Sequence, residues 1–121
     1  MLKRRLLSFV FAWKGIKAVI KGEPNAAIHL LLAGSALLMG FYFRLSPEEW
    51  RWIVLCIALV LAAESMNTAV EAIVDLVSPG KHPLAGKAKD TAAGAVLLLA
   101  AGAVVIGLSI FLPYLKDFFL N

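Results

Sequence analysis

The sequence predicts an all-α integral membrane protein with three transmembrane helices and an N-terminal amphipathic helix. Of its 121 residues, 61% are apolar, whereas a soluble domain is usually about half apolar. Three apolar runs are long enough to cross a bilayer, and segments containing Gly, Pro or charged residues separate them. A chain of this length forms one domain. Its apolar residues exceed what one small water-soluble core could bury.

Residues 1–22 form the predicted amphipathic helix. On a helical wheel a narrow basic arc faces an aromatic and aliphatic side, and the arc consists of Lys3, Lys14, Lys17 and Lys21. Such a helix is typical of the membrane interface, and packing against the other helices is the alternative. The basic start resembles a signal peptide, but the apolar stretch is short and no cleavage site follows. We therefore expect the segment to be retained.

The first two predicted spans cover residues 25–43 and 52–77. Pro24, which precedes the first span, suits the opening turn of a helix. Before the second span, Ser46 is followed three residues later by Glu49, which is a helix-start signal. Both runs are long enough to cross the hydrocarbon core.

The third predicted span covers residues 91–115 and is rich in Ala and Gly, which let helices approach closely in lipid. A loop rich in Gly, Pro and Lys is predicted over residues 78–90. The N-terminal segment carries six Lys or Arg residues, the first loop two and the second loop three. The excess of positive charge places the N-terminus and the second loop in the cytoplasm.

The net charge of +4 does not indicate a nucleic-acid-binding protein. The basic residues cluster outside the apolar runs, where they would meet lipid headgroups or a phosphorylated substrate. A single cysteine, Cys56, cannot form an internal disulfide and is interpreted as a packing residue. Neither His29 nor His82 has the partner spacing of a zinc site.

A polar stripe lies on the second predicted span and consists of Glu64, Asn67, Glu71 and Asp75. At about 100° per residue, the three carboxylates fall within roughly 40° of one another. At 1.5 Å per residue, Glu64 lies roughly 16 Å from Asp75 and is therefore well inside the membrane. An ionisable residue at that depth costs at least about 2.5 kcal/mol. We interpret the stripe as functional; interhelical hydrogen bonds that merely fix packing are the alternative.

Glu23 adds a carboxylate at the cytoplasmic mouth of the first span, at the level that Glu71 and Asp75 reach. Paired carboxylates favour a hard divalent cation, and Mg²⁺ usually combines one or two of them with substrate phosphates. The adjoining loop contains Lys81, Lys87, Lys89 and Asp90. Cationic side chains beside a carboxylate pair suit a polyphosphate. The segment 80–87 is not a P-loop, because the glycine spacing is wrong and no strand precedes it.

The segment 64–75, ESMNTAVEAIVD, resembles the signature of the prokaryotic diacylglycerol kinase family, which includes the undecaprenol kinases. The resemblance extends through WKG at 13–15, EPN at 23–25 and HPLAGKAKD at 82–90, across nearly the whole chain. It implies a homotrimer in the bacterial plasma membrane, with active sites shared between neighbouring subunits.

The resemblance also implies roles for individual residues. Glu64 corresponds to the general base and Asn67 to its positioning partner. The implied magnesium ligands are Glu23 and Glu71. The implied ATP-binding set consists of Glu23, Glu71, Asp75, Lys89 and Asp90. Arg4, together with Glu64, matches a position near the lipid substrate.

These observations predict an ATP- and Mg²⁺-dependent kinase acting on the hydroxyl of diacylglycerol or undecaprenol. The segments 23–29 and 82–90 favour the undecaprenol kinase branch, and the two branches share their chemistry. A small proton- or ion-coupled transporter is an alternative, since membrane carboxylates also form proton relays. A non-catalytic membrane scaffold is a second alternative. The lysine-rich loop beside the carboxylates favours phosphate chemistry.

Overall fold

The computed structural model describes residues 1–121 and contains four α-helices and no strands. The helices are α1 (Leu2–Gly22), α2 (Pro24–Phe43), α3 (Pro47–Val77) and α4 (Pro83–Leu120). By length and composition, α2, α3 and α4 could each cross a membrane. The predicted all-α fold with three membrane-spanning helices and a separate N-terminal helix is thereby confirmed.

The start of α3 follows the helix-start signal in the sequence. The hydroxyl of Ser46 accepts a hydrogen bond from the N–H of Glu49 at 3.2 Å, and the Glu49 carboxylate accepts one from the N–H of Ser46 at 2.9 Å. This reciprocal capping box satisfies two backbone donors, and Pro47 suits the first helical position. Just before it, Arg44 ends α2 in the left-handed conformation, with φ 55° and ψ 60°. The chain can therefore reverse direction within a few residues.

The prediction of a loop over residues 78–90 is wrong for most of that segment, because helix α4 already begins at Pro83. Only residues 78–82 connect α3 to α4 without helical structure. His82 caps α4, because its Nδ1 accepts the N–H of Leu84 at 3.1 Å. Pro83 then occupies the first turn, where a proline needs no hydrogen-bond partner. The proline that suggested a loop is in fact a helix start.

The end of the molecule at which α2 turns into α3, called the α2–α3 end below, contains the main apolar cluster. Its buried members are Leu45, Ile53, Ile110 and Phe111, and half-buried side chains from α2, α3 and α4 surround them. At the same end, the hydroxyl of Tyr114 donates to the Glu49 carboxylate at 2.6 Å. The three long helices are therefore joined firmly at this end.

Most of the chain's apolar surface is exposed. Only 11 of the 121 residues are buried, and the exposed ones include large aliphatic and aromatic side chains along every helix. α1 is exposed throughout except at Val19, through which it rests on the other helices. A surface of this kind requires an apolar solvent such as lipid tails. Against that apolar exterior, the few buried polar residues stand out.

Candidate active site

Glu64 is the most deeply buried polar residue of the chain. Its side chain is 2% exposed, although it lies in the middle of α3, far from either end of the helix. Its Oε1 atom lies 3.0 Å from Nε2 of His29, a half-buried residue of α2. The pair links two membrane-spanning helices at depth. Glu64 was predicted from the sequence as a site residue, whereas His29 was not predicted to be its partner.

Two turns further along α3, a second polar group is arranged around Glu71. Asn67 is 8% exposed, and its Nδ2 donates to Oε1 of Glu71 at 3.2 Å. The amide of Asn67 therefore orients Glu71 in this structure, whereas its expected partner was Glu64. Because Asn67 lies between the two carboxylates along α3, it connects the deep part of the site with its mouth.

Glu23 completes a cluster of three carboxylates. It precedes α2, and burial raises the pKa of its carboxyl group, with the nearby carboxylates of Glu71 and Glu64 raising it further. Glu71 and Glu64 disfavour negative charge on Glu23, because like charges repel one another. The structure thus brings together three of the residues singled out in the sequence.

Two buried acceptors in this region have no partner. Oδ1 of Asn67 and Oγ1 of Thr68 are both buried and make no hydrogen bond. The large majority of buried side-chain polar atoms in proteins have a hydrogen-bond partner. A donor from a ligand, a water molecule or a neighbouring subunit would satisfy them. Thr68 was not among the residues singled out in the sequence.

The residues of the cluster fit a magnesium ion bound together with phosphates. No group of three His, Cys, Asp or Glu side chains is arranged as a metal site within the chain. Mg²⁺ commonly needs only one or two carboxylates, because substrate phosphates and water fill its remaining positions. Glu23 and Glu71 could supply oxygen ligands. The pKa of Glu23 is raised by burial and then by the nearby charges of Glu71 and Glu64, and a cation would offset both effects.

An open groove of about 590 Å³ lies where α3 connects to α4. At its edge, Nζ of Lys89 pairs with the carboxylate of Asp75, and Lys89 is also within electrostatic range of Glu71. The groove has the size of a small-molecule site. It is lined by Val74, Asp75, Ser78, Pro79, Gly80, Lys81, His82, Pro83, Ala85, Gly86 and Lys89.

Two of the predicted site residues lie apart from these groups. Asp90 is exposed on α4 and does not line the groove. Arg4 is exposed on α1, and its carbonyl accepts a hydrogen bond from the hydroxyl of Ser8. The roles expected for Asp90 and Arg4 stay predictions.

Comparison with known proteins adds a family to this geometry. A family model described as prokaryotic diacylglycerol kinase matches residues 10–111. The chain belongs to the prokaryotic diacylglycerol kinase family. Its match includes the whole polar stripe and the groove, and it confirms the resemblance carried by the sequence motifs.

Individual members of the prokaryotic diacylglycerol kinase family are similar over most of this chain. An undecaprenol kinase from Bacillus subtilis is 45% identical, over 94% of this chain and 93% of its own length. A diacylglycerol kinase from Synechocystis is 38% identical, over 89% of this chain and 62% of its own length. A diacylglycerol kinase from Escherichia coli K12 is 27% identical over 78% of both chains. With its family and these relatives, the chain is an enzyme, a lipid kinase of the membrane.

Proposed function

We propose that this kinase transfers the γ-phosphate of ATP, with Mg²⁺, to the hydroxyl of a membrane lipid alcohol. Undecaprenol is the favoured acceptor and diacylglycerol the second. The observation that carries the proposal is the buried Glu64 carboxylate, which lies within electrostatic range of Glu23, itself close to Glu71. The name of the relative from Bacillus subtilis, an undecaprenol kinase, supports the choice of acceptor.

The spacing along α3 suits a reaction between a lipid and a nucleotide. Glu64 and Glu71 are seven residues apart, or roughly 10 Å along the helix axis. In the proposed arrangement, the lipid alcohol approaches Glu64 from the membrane, while ATP approaches Glu71 from the groove beside Asp75. Phosphoryl transfer requires mainly that attacking and leaving oxygens be held in line and that charge be neutralised.

In the proposed step, the Glu64 carboxylate accepts the proton of the lipid hydroxyl. The hydroxyl oxygen forms a bond to the γ-phosphorus, the bond from that phosphorus to the β–γ bridging oxygen breaks, and ADP leaves with the electron pair. Glu23 and Glu71 would hold Mg²⁺, which supplies neutralisation of the phosphate charges. Asn67 keeps Glu71 oriented through its hydrogen bond.

The nucleotide is proposed to bind in the groove at Asp75 and Lys89, with Asp90 nearby. A lysine ammonium is a suitable point charge for phosphates. Arg4, on α1, is proposed to contact the lipid substrate. We further propose that the enzyme is a homotrimer with sites shared between subunits. The unpaired buried oxygens of Asn67 and Thr68 support shared sites, since a neighbouring subunit could satisfy them.

The proposed location is the bacterial plasma membrane, with the N-terminus and the connection between α3 and α4 in the cytoplasm. Six Lys or Arg residues in the N-terminal segment support this orientation. ATP would then enter the groove directly from the cytoplasm.

A competition between lipids tests the proposal. Purified enzyme in phospholipid vesicles receives γ-labelled ATP, Mg²⁺ and equimolar undecaprenol and diacylglycerol. In a separate control reaction, undecaprenyl phosphate replaces both lipids, because it has no alcohol hydroxyl to phosphorylate. We expect label mainly in undecaprenyl phosphate made from undecaprenol, and no label when EDTA replaces Mg²⁺. Label mainly in phosphatidic acid would reverse the choice of acceptor, and equal labelling in EDTA would refute the dependence on Mg²⁺.

A further inference from the structure

We infer that His29 is the positioning residue of the Glu64 carboxylate, an inference that rests on the proposed role of Glu64 as general base. Nε2 of His29 lies 3.0 Å from Oε1 of Glu64. No other side chain forms a hydrogen bond or ion pair with Glu64 within the chain. The orientation of this buried carboxylate therefore depends on one ring nitrogen.

The contact leaves one oxygen of Glu64 for the substrate. When Nε2–H of His29 donates to Oε1, the second oxygen, Oε2, keeps its lone pairs for the proton of a lipid hydroxyl. A general base has to lie within hydrogen-bond reach of the proton that it accepts. His29 thus selects which oxygen reacts and where that oxygen lies.

The same contact satisfies one oxygen of a buried carboxylate. A carboxylate buried without a hydrogen-bond donor or an opposite charge is costly to the fold. The side chain is 2% exposed, so bulk water cannot supply that donor. The imidazole is the group on α2 that does so, at the depth where the lipid hydroxyl would react.

His29 also fixes the relation between the base and the mouth of the site. It lies six residues after Glu23, on the same helix that Glu23 precedes. Movement of α2 relative to α3 would therefore shift the donor to Glu64 and the carboxylate of Glu23 together. This coupling makes α2 the element that aligns the base with the phosphate site.

Two amide substitutions separate this role from simple packing. Glutamine places its side-chain nitrogen near the position of Nε2 of histidine, whereas asparagine is shorter and reaches only about as far as Nδ1. Both are polar and uncharged, so His29→Gln and His29→Asn perturb the apolar surroundings similarly. Because the contact in the structure is made by Nε2, only the glutamine can restore it.

The kinetic experiment compares both variants with the wild type in vesicles, using γ-labelled ATP and undecaprenol. We expect His29→Asn to lower kcat by about 10- to 100-fold, the loss typical for groups that orient a reactive side chain. The KM for ATP should change little, and His29→Gln should recover most of the kcat. Ser35→Ala, on an exposed part of the same helix, serves as the control and should match the wild type.

A spectroscopic readout tests the contact without relying on activity. The chain has only two histidines, His29 and His82, so ¹⁵N-labelled histidine gives two sets of ring resonances. Glu64→Gln should shift the Nε2 resonance of His29 and leave that of His82 unchanged. Unchanged resonances of His29 would overturn the inference.

The kinetic outcomes are equally decisive. Equal loss of kcat in His29→Gln and His29→Asn would overturn the positioning role, and so would full activity of His29→Asn beside an inactive Glu64→Gln. In both of these cases the wild type still phosphorylates the lipid, and the proposed function survives. A wild-type enzyme that labels neither lipid would instead refute the proposed function, and this inference with it.

Discussion

Gly40 offers a stability prediction whose magnitude follows directly from distances. A Cβ atom at Gly40 would lie 2.6 Å from Cη2 and 2.9 Å from Cζ2 of Trp50, and 3.1 Å from Cδ1 of Leu45. Carbon atoms pack best at about 3.5–4.0 Å, so the indole would have to move by about 1 Å. Trp50 is held in the first turn of α3 and packs on Phe41, with ring centroids 4.9 Å apart. The indole therefore cannot move freely.

We expect Gly40→Ala to lower the free energy of unfolding by about 1–3 kcal/mol relative to Gly34→Ala, which is the usual cost of overpacking. Gly34 lies in the same helix with nothing within 4 Å of the added Cβ. Both substitutions change helix propensity equally, so their difference isolates the clash with Trp50. The measurement is reversible unfolding of both variants in mixed micelles with increasing SDS. Equal stabilities would refute the packing of α2 against Trp50.

Three further predictions concern the carboxylates and their partners. Glu23→Gln removes a charge that burial and two neighbouring carboxylates disfavour, so it should raise the unfolding temperature in EDTA and lower the activity in Mg²⁺. A lower unfolding temperature would contradict the unfavourable placement of the Glu23 charge. Tyr114→Phe removes the hydrogen bond to Glu49 and should cost about 1 kcal/mol of unfolding free energy, with unchanged stability as the contrary result. Lys89→Met should raise the KM for ATP by about tenfold, equivalent to ~1.4 kcal/mol, whereas the exposed Lys116→Met at the opposite end of α4 should not; equal KM values would exclude Lys89 from the nucleotide site.

The fold was largely predictable because lipid imposes simple rules. Apolar runs of sufficient length mark membrane-spanning helices, and the capping residues Ser46 and Glu49 mark the start of α3. The start of α4 was missed, since Gly and Pro near Lys81 suggest a loop by composition. Pro83 is compatible with both structures, and only the side chain of His82, acting as a cap, decides in favour of the helix.

The candidate site was predictable in its acidic residues but not in its pairings. The spacing of Glu64 and Glu71 on one helix face follows from helical periodicity. The contact between His29 and Glu64 depends on how α2 packs on α3, which no single segment specifies. A signal was nevertheless present: His29 is six residues from Glu23, and Glu64 is seven from Glu71. In antiparallel helices whose carboxylates meet at one end, those offsets place both residues at the same depth.

The hydrogen-bond partner of Asn67 also depends on contacts between different helices, which the sequence does not specify. Asn67 lies between Glu64 and Glu71 and could have bonded to either, since both are within one helical turn. In the structure Asn67 donates a hydrogen bond to Glu71, while His29 pairs with Glu64. The choice follows from the position of α2, because a donor on that helix leaves the amide free for the second carboxylate.

Replacing Glu64 by Gln shows whether this carboxylate is the general base, because the substitution removes the proposed base and keeps its size and its capacity to bond to His29. The control is Glu48→Gln, which removes a carboxylate from the exposed first turn of the same helix. The measurement is the rate at which γ-labelled ATP phosphorylates undecaprenol in vesicles. We predict that Glu64→Gln lowers kcat by about 10²–10⁴-fold, as expected for loss of a general base, while Glu48→Gln leaves it unchanged. A Glu64→Gln variant as active as Glu48→Gln would contradict the claim that this buried carboxylate performs the proton transfer.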